Sequence, residues 1–186
     1  HSIVCNVADE AMVEASFSET LEVFGRVDAC FGNAGVARSG RFDEFTTEDW
    51  RAVLDVNLDG LFFTLRAAAR HMRARAEAGD PGGRLIGTAS LGALMGMARV
   101  EAYGASKGAV ISFMQALAVE YARYGVTANS VLPGHIETAM TEANYANEKF
   151  ANAVLPRIPA RRWGDRADFE AIAVYLMSDA SSYHTG

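Results

Sequence analysis

The chain has 186 residues, enough to bury one sizeable core, and half of them are hydrophobic against 22% charged, the balance of a globular protein. A net charge of −6 argues against nucleic acid as the main partner, because phosphate binding wants a basic face. Apolar runs such as Leu61-Phe62-Phe63 are far too short to span a bilayer. Cys5 and Cys30 lie in strand-like apolar runs with no framework of paired spacings, so they read as reduced core thiols of a cytosolic protein. The first residue is His1, and no targeting segment is in view.

Taken in order, residues 2–5 read as a buried strand. Helical spacing follows over 9–24, with Met12, Val13, Phe17, Leu21 and Phe24 on one face and Gly25 as the stop. Residues 27–31 form a second predicted strand, and Asn33-Ala34-Gly35 follows it closely. Thr46-Thr47-Glu48-Asp49 carries a helix-start signal, a capping hydroxyl followed by early acids. Helices are expected over 48–54 and 57–78, ended by the turn at 79–83. A third strand covers 84–88, a long helix 101–124, and a fourth strand 126–132, closed by Pro133-Gly134. The stretch to about 162 is polar and weakly periodic, and Asp165 caps a last helix through 177. Strands separated by helices imply an α/β fold with a parallel sheet covered on both faces. No repeat, linker or boundary divides the chain, so 1–186 reads as a single domain. The helices from 57 and 101 are apolar on more than one face, which points to a subunit interface as well as to core.

Tyr103-Gly104-Ala105-Ser106-Lys107 places a phenol and an ammonium four apart on one helix face. A cation beside a phenol favours the phenolate, and such a tyrosine can give or take a proton near neutral pH. Fifteen of the seventeen basic residues are arginine, yet this position holds one of only two lysines. A compact ammonium does not interchange with a planar guanidinium. Ser90 lies just past the third strand, at the carboxyl edge where open α/β sheets bind ligands, and its hydroxyl can hold a substrate oxygen. By itself it reads as a solvated loop serine. Asn33-Ala34-Gly35 ends the second strand at the same edge, as a turn or as a place for close backbone approach. Asn57 within a helical region reads as a polar residue that hydrogen-bonds the backbone and bends the helix. Pro133 to Thr138 turns the chain outward after the fourth strand and exposes backbone groups.

Together, Asn33-Ala34-Gly35, Asn57 within Val56-Asn57-Leu58-Asp59-Gly60, Ser90, Tyr103 with Lys107, and Pro133 to Thr138 resemble the short-chain dehydrogenase/reductase family. The ending Leu176-Met177-Ser178-Asp179, with Thr185-Gly186, is also similar to that family's approach to its last strand. The resemblance implies a Rossmann-like, doubly wound parallel sheet and hydride transfer between NAD or NADP and an alcohol or ketone. It implies that Tyr103 is the acid/base, that Ser90 holds the substrate oxygen, and that Lys107 binds the nicotinamide ribose. Asn57 would anchor a water behind Lys107. Asn33, Ala34 and Gly35 would line the adenosine side, and Pro133, Gly134, Ile136 and Thr138 would meet the nicotinamide. Residues 139–163 correspond to the family's variable substrate lid. Their Tyr145, Phe150, Val154 and Leu155, with Trp163, suggest an uncharged or partly apolar small-molecule substrate. A homodimer or homotetramer is the expected state of the complete protein.

The family's Gly-rich phosphate loop, its first two strands and its last strand have no counterpart in these residues, so the expected sheet is incomplete. NAD and NADP therefore stay open, and a non-catalytic assembly or binding remnant stands as the alternative. His71 and His184 show no metal-ligand spacing, and no metal is expected. The segment 2–5 lacks its neighbouring strand, and the strand at 27–31 is left with an unpaired edge. The isolated chain is thus expected to be poorly stable or aggregation-prone. A cooperative thermal transition in a monomeric sample of these 186 residues refutes this.

Overall fold

Asp9 starts the first helix, its carboxylate accepting from the N–H groups of Ala11 and Met12 at 2.9 and 3.2 Å. In the computed structural model, which describes residues 1–186, this helix α1 spans Glu10–Phe24. Gly25 ends it in the left-handed region, φ 76°, with its N–H returned to Leu21 O. The chain then enters β1, Ala29–Gly32. Thr46 caps α2, Thr47–Leu54, by accepting from the Asp49 N–H at 3.0 Å. Residues Asp55–Asp59 form a π turn that runs directly into α3, Gly60–Glu77. Next come β2, Gly83–Thr88, the long helix α4, Glu101–Tyr121, and β3, Val126–Val131. Short helices α5, Glu142–Tyr145, and α6, Glu148–Val154, cross the polar stretch, and α7, Glu170–Met177, closes the chain.

The three strands form one parallel sheet in the order β1-β2-β3. Gly32 pairs with Gly87 and Gly87 with Ser130, so all three strands reach their carboxyl ends almost level. That single edge delivers Asn33 from β1, Ser90 from β2 and Pro133 from β3. The pleat sends alternate residues of β2 to opposite faces. Gly83, Leu85 and Gly87 face α3 and α4, where Met72 and Met114 fill the space their missing side chains leave; a Cβ on Gly87 would lie 2.9 Å from the Met114 sulfur. Arg84 points to the other face, where its guanidinium meets the Ser178 carbonyl beyond α7 at 3.4 Å. Leu65, Met72, Leu85, Val110, Met114 and Val126 are fully buried between the sheet and α3 and α4. Outside them, α1 is tied to α3 by ion pairs from Arg66 to Glu10 and from Arg70 to Glu14, the latter at 2.8 Å.

Two expectations are corrected. Residues 2–5 are not a strand: they pair with nothing, and Val4 is 92% exposed. An apolar run becomes a strand only through ladder bonds, and the sheet offers no partner at that position. The last helix begins later than expected, because Asp165 and Asp168 form a capping box around a 3-10 turn, Arg166–Phe169, before α7 starts. No helix is long and apolar enough to cross a membrane.

Candidate active site

One turn of α4 separates Tyr103 from Lys107, and both line a cavity of about 680 Å³ at the carboxyl edge of the sheet. Ser90, Asn33, Ala34, Gly35, Pro133, Gly134, Ile136 and Thr138 line the same cavity. Its size is that of a small-molecule site. Lys107 is only 4% exposed, and its Nζ donates to the Thr88 carbonyl at 2.6 Å. An ammonium has three donors, so two remain without a protein partner. Burial pulls the Lys107 pKa down from 10.5 to about 8, which leaves it mainly cationic at neutral pH. Its Nζ lies 5.8 Å from the centre of the Tyr103 ring. The Ser90 hydroxyl accepts from the Gly92 N–H at 3.1 Å, and its own proton is free for a ligand oxygen.

Asn57 does not line the cavity. It stands behind it, 1% exposed, in the middle of the π turn. Its Oδ1 accepts from the Val36 N–H at 2.7 Å, and its Nδ2 donates to the Val36 carbonyl at 2.9 Å. Nδ2 also donates to the buried Ser106 hydroxyl at 3.0 Å, which in turn donates to the Tyr103 carbonyl at 2.8 Å. One amide therefore joins the loop after β1 to the helix that carries Tyr103 and Lys107. A Cβ on Gly35 would sit 3.3 Å from Lys107 Nζ and 3.4 Å from Asn57 Oδ1, so glycine keeps the loop close to both. On the other side, the Thr88 hydroxyl donates to Asn33 Oδ1 at 2.9 Å while the Thr88 carbonyl holds Lys107. Thr88 and Ser106 are site residues that sequence reasoning missed. Ser106 sits inside the Tyr103–Lys107 run, and its spacing from Asn57 carried no signal.

The lid expectation needs a correction. Among the residues 139–163, Ala139, Met140 and Thr141 reach the cavity, while Tyr145, Phe150, Val154 and Leu155 do not, and neither does Trp163. Trp163 instead packs against His135, Tyr145 and Phe150 at ring-centre distances of 5.3, 6.0 and 6.5 Å. The aromatic residues hold the lid to itself. Its two ends are pinned by a parallel bridge, with Glu137 N–H donating to Gly164 O and Gly164 N–H to His135 O, both at 2.9 Å. Beyond that bridge, Arg166, Phe169, Ile172 and Ala173 complete the cavity wall, a contribution not foreseen from the sequence.

A family model described as Enoyl-(Acyl carrier protein) reductase matches residues 1–186. The 2-dehydro-3-deoxy-D-gluconate 5-dehydrogenase of Bacillus subtilis is 38% identical over 180 residues, 96% of this chain and 69% of that protein. The levodione reductase of Leifsonia aquatica is 34% identical over 187 residues, covering 97% of this chain and 68% of that protein. The crystal structure of a gluconate 5-dehydrogenase from Burkholderia cenocepacia in complex with NADP and tartrate superposes with a TM-score of 0.90 at 35% identity, covering 96% of this chain and 68% of that one. The chain belongs to the short-chain dehydrogenase/reductase family, whose members are NAD(P)-dependent oxidoreductases that interconvert alcohols and ketones.

The buried ammonium gives a pH test. Between pH 8 and 10.5 the unfolded chain holds the Lys107 proton and the folded chain does not. Stability should therefore rise with pH across that window, as the penalty for burying the cation is relieved. Cys30 opposes this, since burial pushes its thiol up to about 11. The clean readout is the difference between the wild type and Lys107→Met in denaturant midpoint against pH. A difference that is flat from 8 to 10.5 overturns the assignment.

Proposed function

We propose that this chain carries the catalytic half of an NAD(P)-dependent dehydrogenase or reductase in which Tyr103 is the acid/base. The observation that supports this best is the meeting of Tyr103, Ser90 and a buried, under-bonded Lys107 in one cavity at the ends of three parallel strands. The donor set fits a nicotinamide cofactor. Lys107 has two donors left for sugar hydroxyls, Gly35 allows close backbone approach, and Pro133, Gly134, Ile136 and Thr138 line the wall beside them. When bound, the nicotinamide supplies or accepts the hydride.

The residues handle the proton and the oxygen. In oxidation, Tyr103 Oη takes the proton of the alcohol, and in reduction it returns a proton to the carbonyl oxygen. The Ser90 hydroxyl donates to the same oxygen and fixes its position. Lys107 stabilises the negative charge that develops on the Tyr103 oxygen and holds the cofactor sugar. Asn57 acts as a positioning residue that keeps the loop at Val36 and the helix at Tyr103 in register. Asn33, Ala34 and Gly35 form the cofactor wall on the β1 side.

Relatives named for gluconates and for levodione differ in substrate, and they lend no support to a non-catalytic remnant. Residues 1–186 act as one domain, with 139–163 as the substrate lid, in a cytoplasmic enzyme. The complete protein assembles as a homodimer or homotetramer through α3 and α4, on which Phe62 and Val119 are 39% and 83% exposed. Light scattering that returns a monomer overturns the assembly.

Tyr103→Phe in the complete enzyme should lower kcat by about a hundredfold to ten-thousandfold, the range a general acid/base contributes. NADH or NADPH affinity, read by fluorescence titration, should change little. Retained turnover overturns the role of Tyr103.

A further inference from the structure

The side chains that line the cavity include no acid. Its two charged members are Lys107 and Arg166, both cations, in a chain whose net charge is −6. Lys107 is anchored to Thr88. Arg166 is not anchored. It lies between Asp165 and Asp168, yet both carboxylates are taken: Asp165 accepts from the Ala167 N–H at 2.8 Å, and Asp168 grips Arg162 through two bonds of 2.7 Å. The Asp165 N–H also donates to Asp168, at 2.7 Å. The Arg166 guanidinium is left with no hydrogen-bond or ion-pair partner in the protein while it lines the cavity. Five donors in a planar fork match a carboxylate through two parallel bonds.

The position of Arg166 narrows what it meets. The lid leaves the sheet after β3, at the opposite edge from the loop of Asn33–Gly35 on β1. Arg166 follows directly after the bridge that closes the lid, so it belongs to the lid end of the cavity, together with Met140 and Thr141. The reacting oxygen is held between Tyr103 and Ser90, on α4 and at the end of β2, and the group that Arg166 meets is thus a remote part of the same small molecule.

We propose that Arg166 binds a carboxylate on the substrate, and that the substrate is accordingly a hydroxy acid or keto acid. This rests on the reading of the cavity as an alcohol/ketone oxidoreductase site. It replaces the uncharged or apolar substrate suggested by lid aromatics that face away from the cavity. Remote binding of this kind orients the reacting carbon and selects among alcohols without taking part in proton transfer.

The test is calorimetric titration of the complete, NADP-loaded enzyme with D-gluconate, L-tartrate and the corresponding neutral carboxamides. At least one acid should bind ten or more times tighter than its amide. That preference should vanish in Arg166→Met and persist in part in Arg166→Lys. Arg166 is exposed and unpartnered, so neither variant should shift the thermal midpoint, and kcat/KM for the acid should fall in Arg166→Met. Equal binding of acids and amides, a preference that survives Arg166→Met, or no acid bound at all overturns the proposal. Loss of NADP affinity in Arg166→Met with acid preference retained also overturns it, by assigning the guanidinium to a cofactor phosphate. Failure of the oxidoreductase reading looks different: acids bind, Arg166→Met weakens them, and Tyr103→Phe leaves turnover unchanged.

Discussion

A single lysine that is buried almost completely yet bonded to the protein only through the Thr88 carbonyl sets the conditions that the surrounding structure has to meet. A buried cation is costly unless something holds it, and the burial is visible in a pKa drawn down to about 8. The fold answers with position rather than with a counter-ion. Thr88 is the last residue of the central strand, and its two polar groups work in different directions: the carbonyl fixes Lys107 and the hydroxyl fixes Asn33. No acid is brought in to neutralise the ammonium, and its remaining donors stay available. A glutamate at that spot would take up those donors and close the site.

The π turn at Asp55–Asp59 belongs to the same arrangement. Between α2 and α3 the wider turn opens a short interruption where Asn57 reaches sideways. Its amide spends three hydrogen bonds on Val36 and Ser106. The loop after β1 and the helix that bears Tyr103 come from distant parts of the chain, and this amide bonds to both the loop and the Ser106 hydroxyl on that helix. A buried side chain with every donor and acceptor matched tolerates little displacement.

Much of this was legible in the sequence because it is local. The four-residue spacing of Tyr103 and Lys107, the Pro133-Gly134 stop and the Thr46 helix start each announce themselves within a few residues. The strands at β1, β2 and β3 were visible for the same reason, to within a residue or two at their ends. What failed depended on partners that spacing along the chain does not identify. Residues 2–5 have a strand's composition and no ladder to join. Tyr145, Phe150 and Trp163 looked like pocket-liners because they are aromatic in a lid, but they satisfy one another instead. Arg166 fell within the helix expected from Asp165 to 177 and carried no signal of its own. Its meaning depends on Asp168 having already paired with Arg162, which no local pattern reveals.

The bridge between Ile136 and Gly164 gathers the whole of 137–163 into a closed excursion with its own aromatic centre. Within that excursion only Thr138 to Thr141 reach the cavity of the proton-handling groups, and both of its feet are fixed to each other before the chain rejoins the cavity wall. Evolution can therefore rewrite the lid in length and content while Tyr103, Ser90 and Lys107 stay in register. A scaffold built in this way can vary what most of the lid is made of without moving Arg166 or the proton-handling groups.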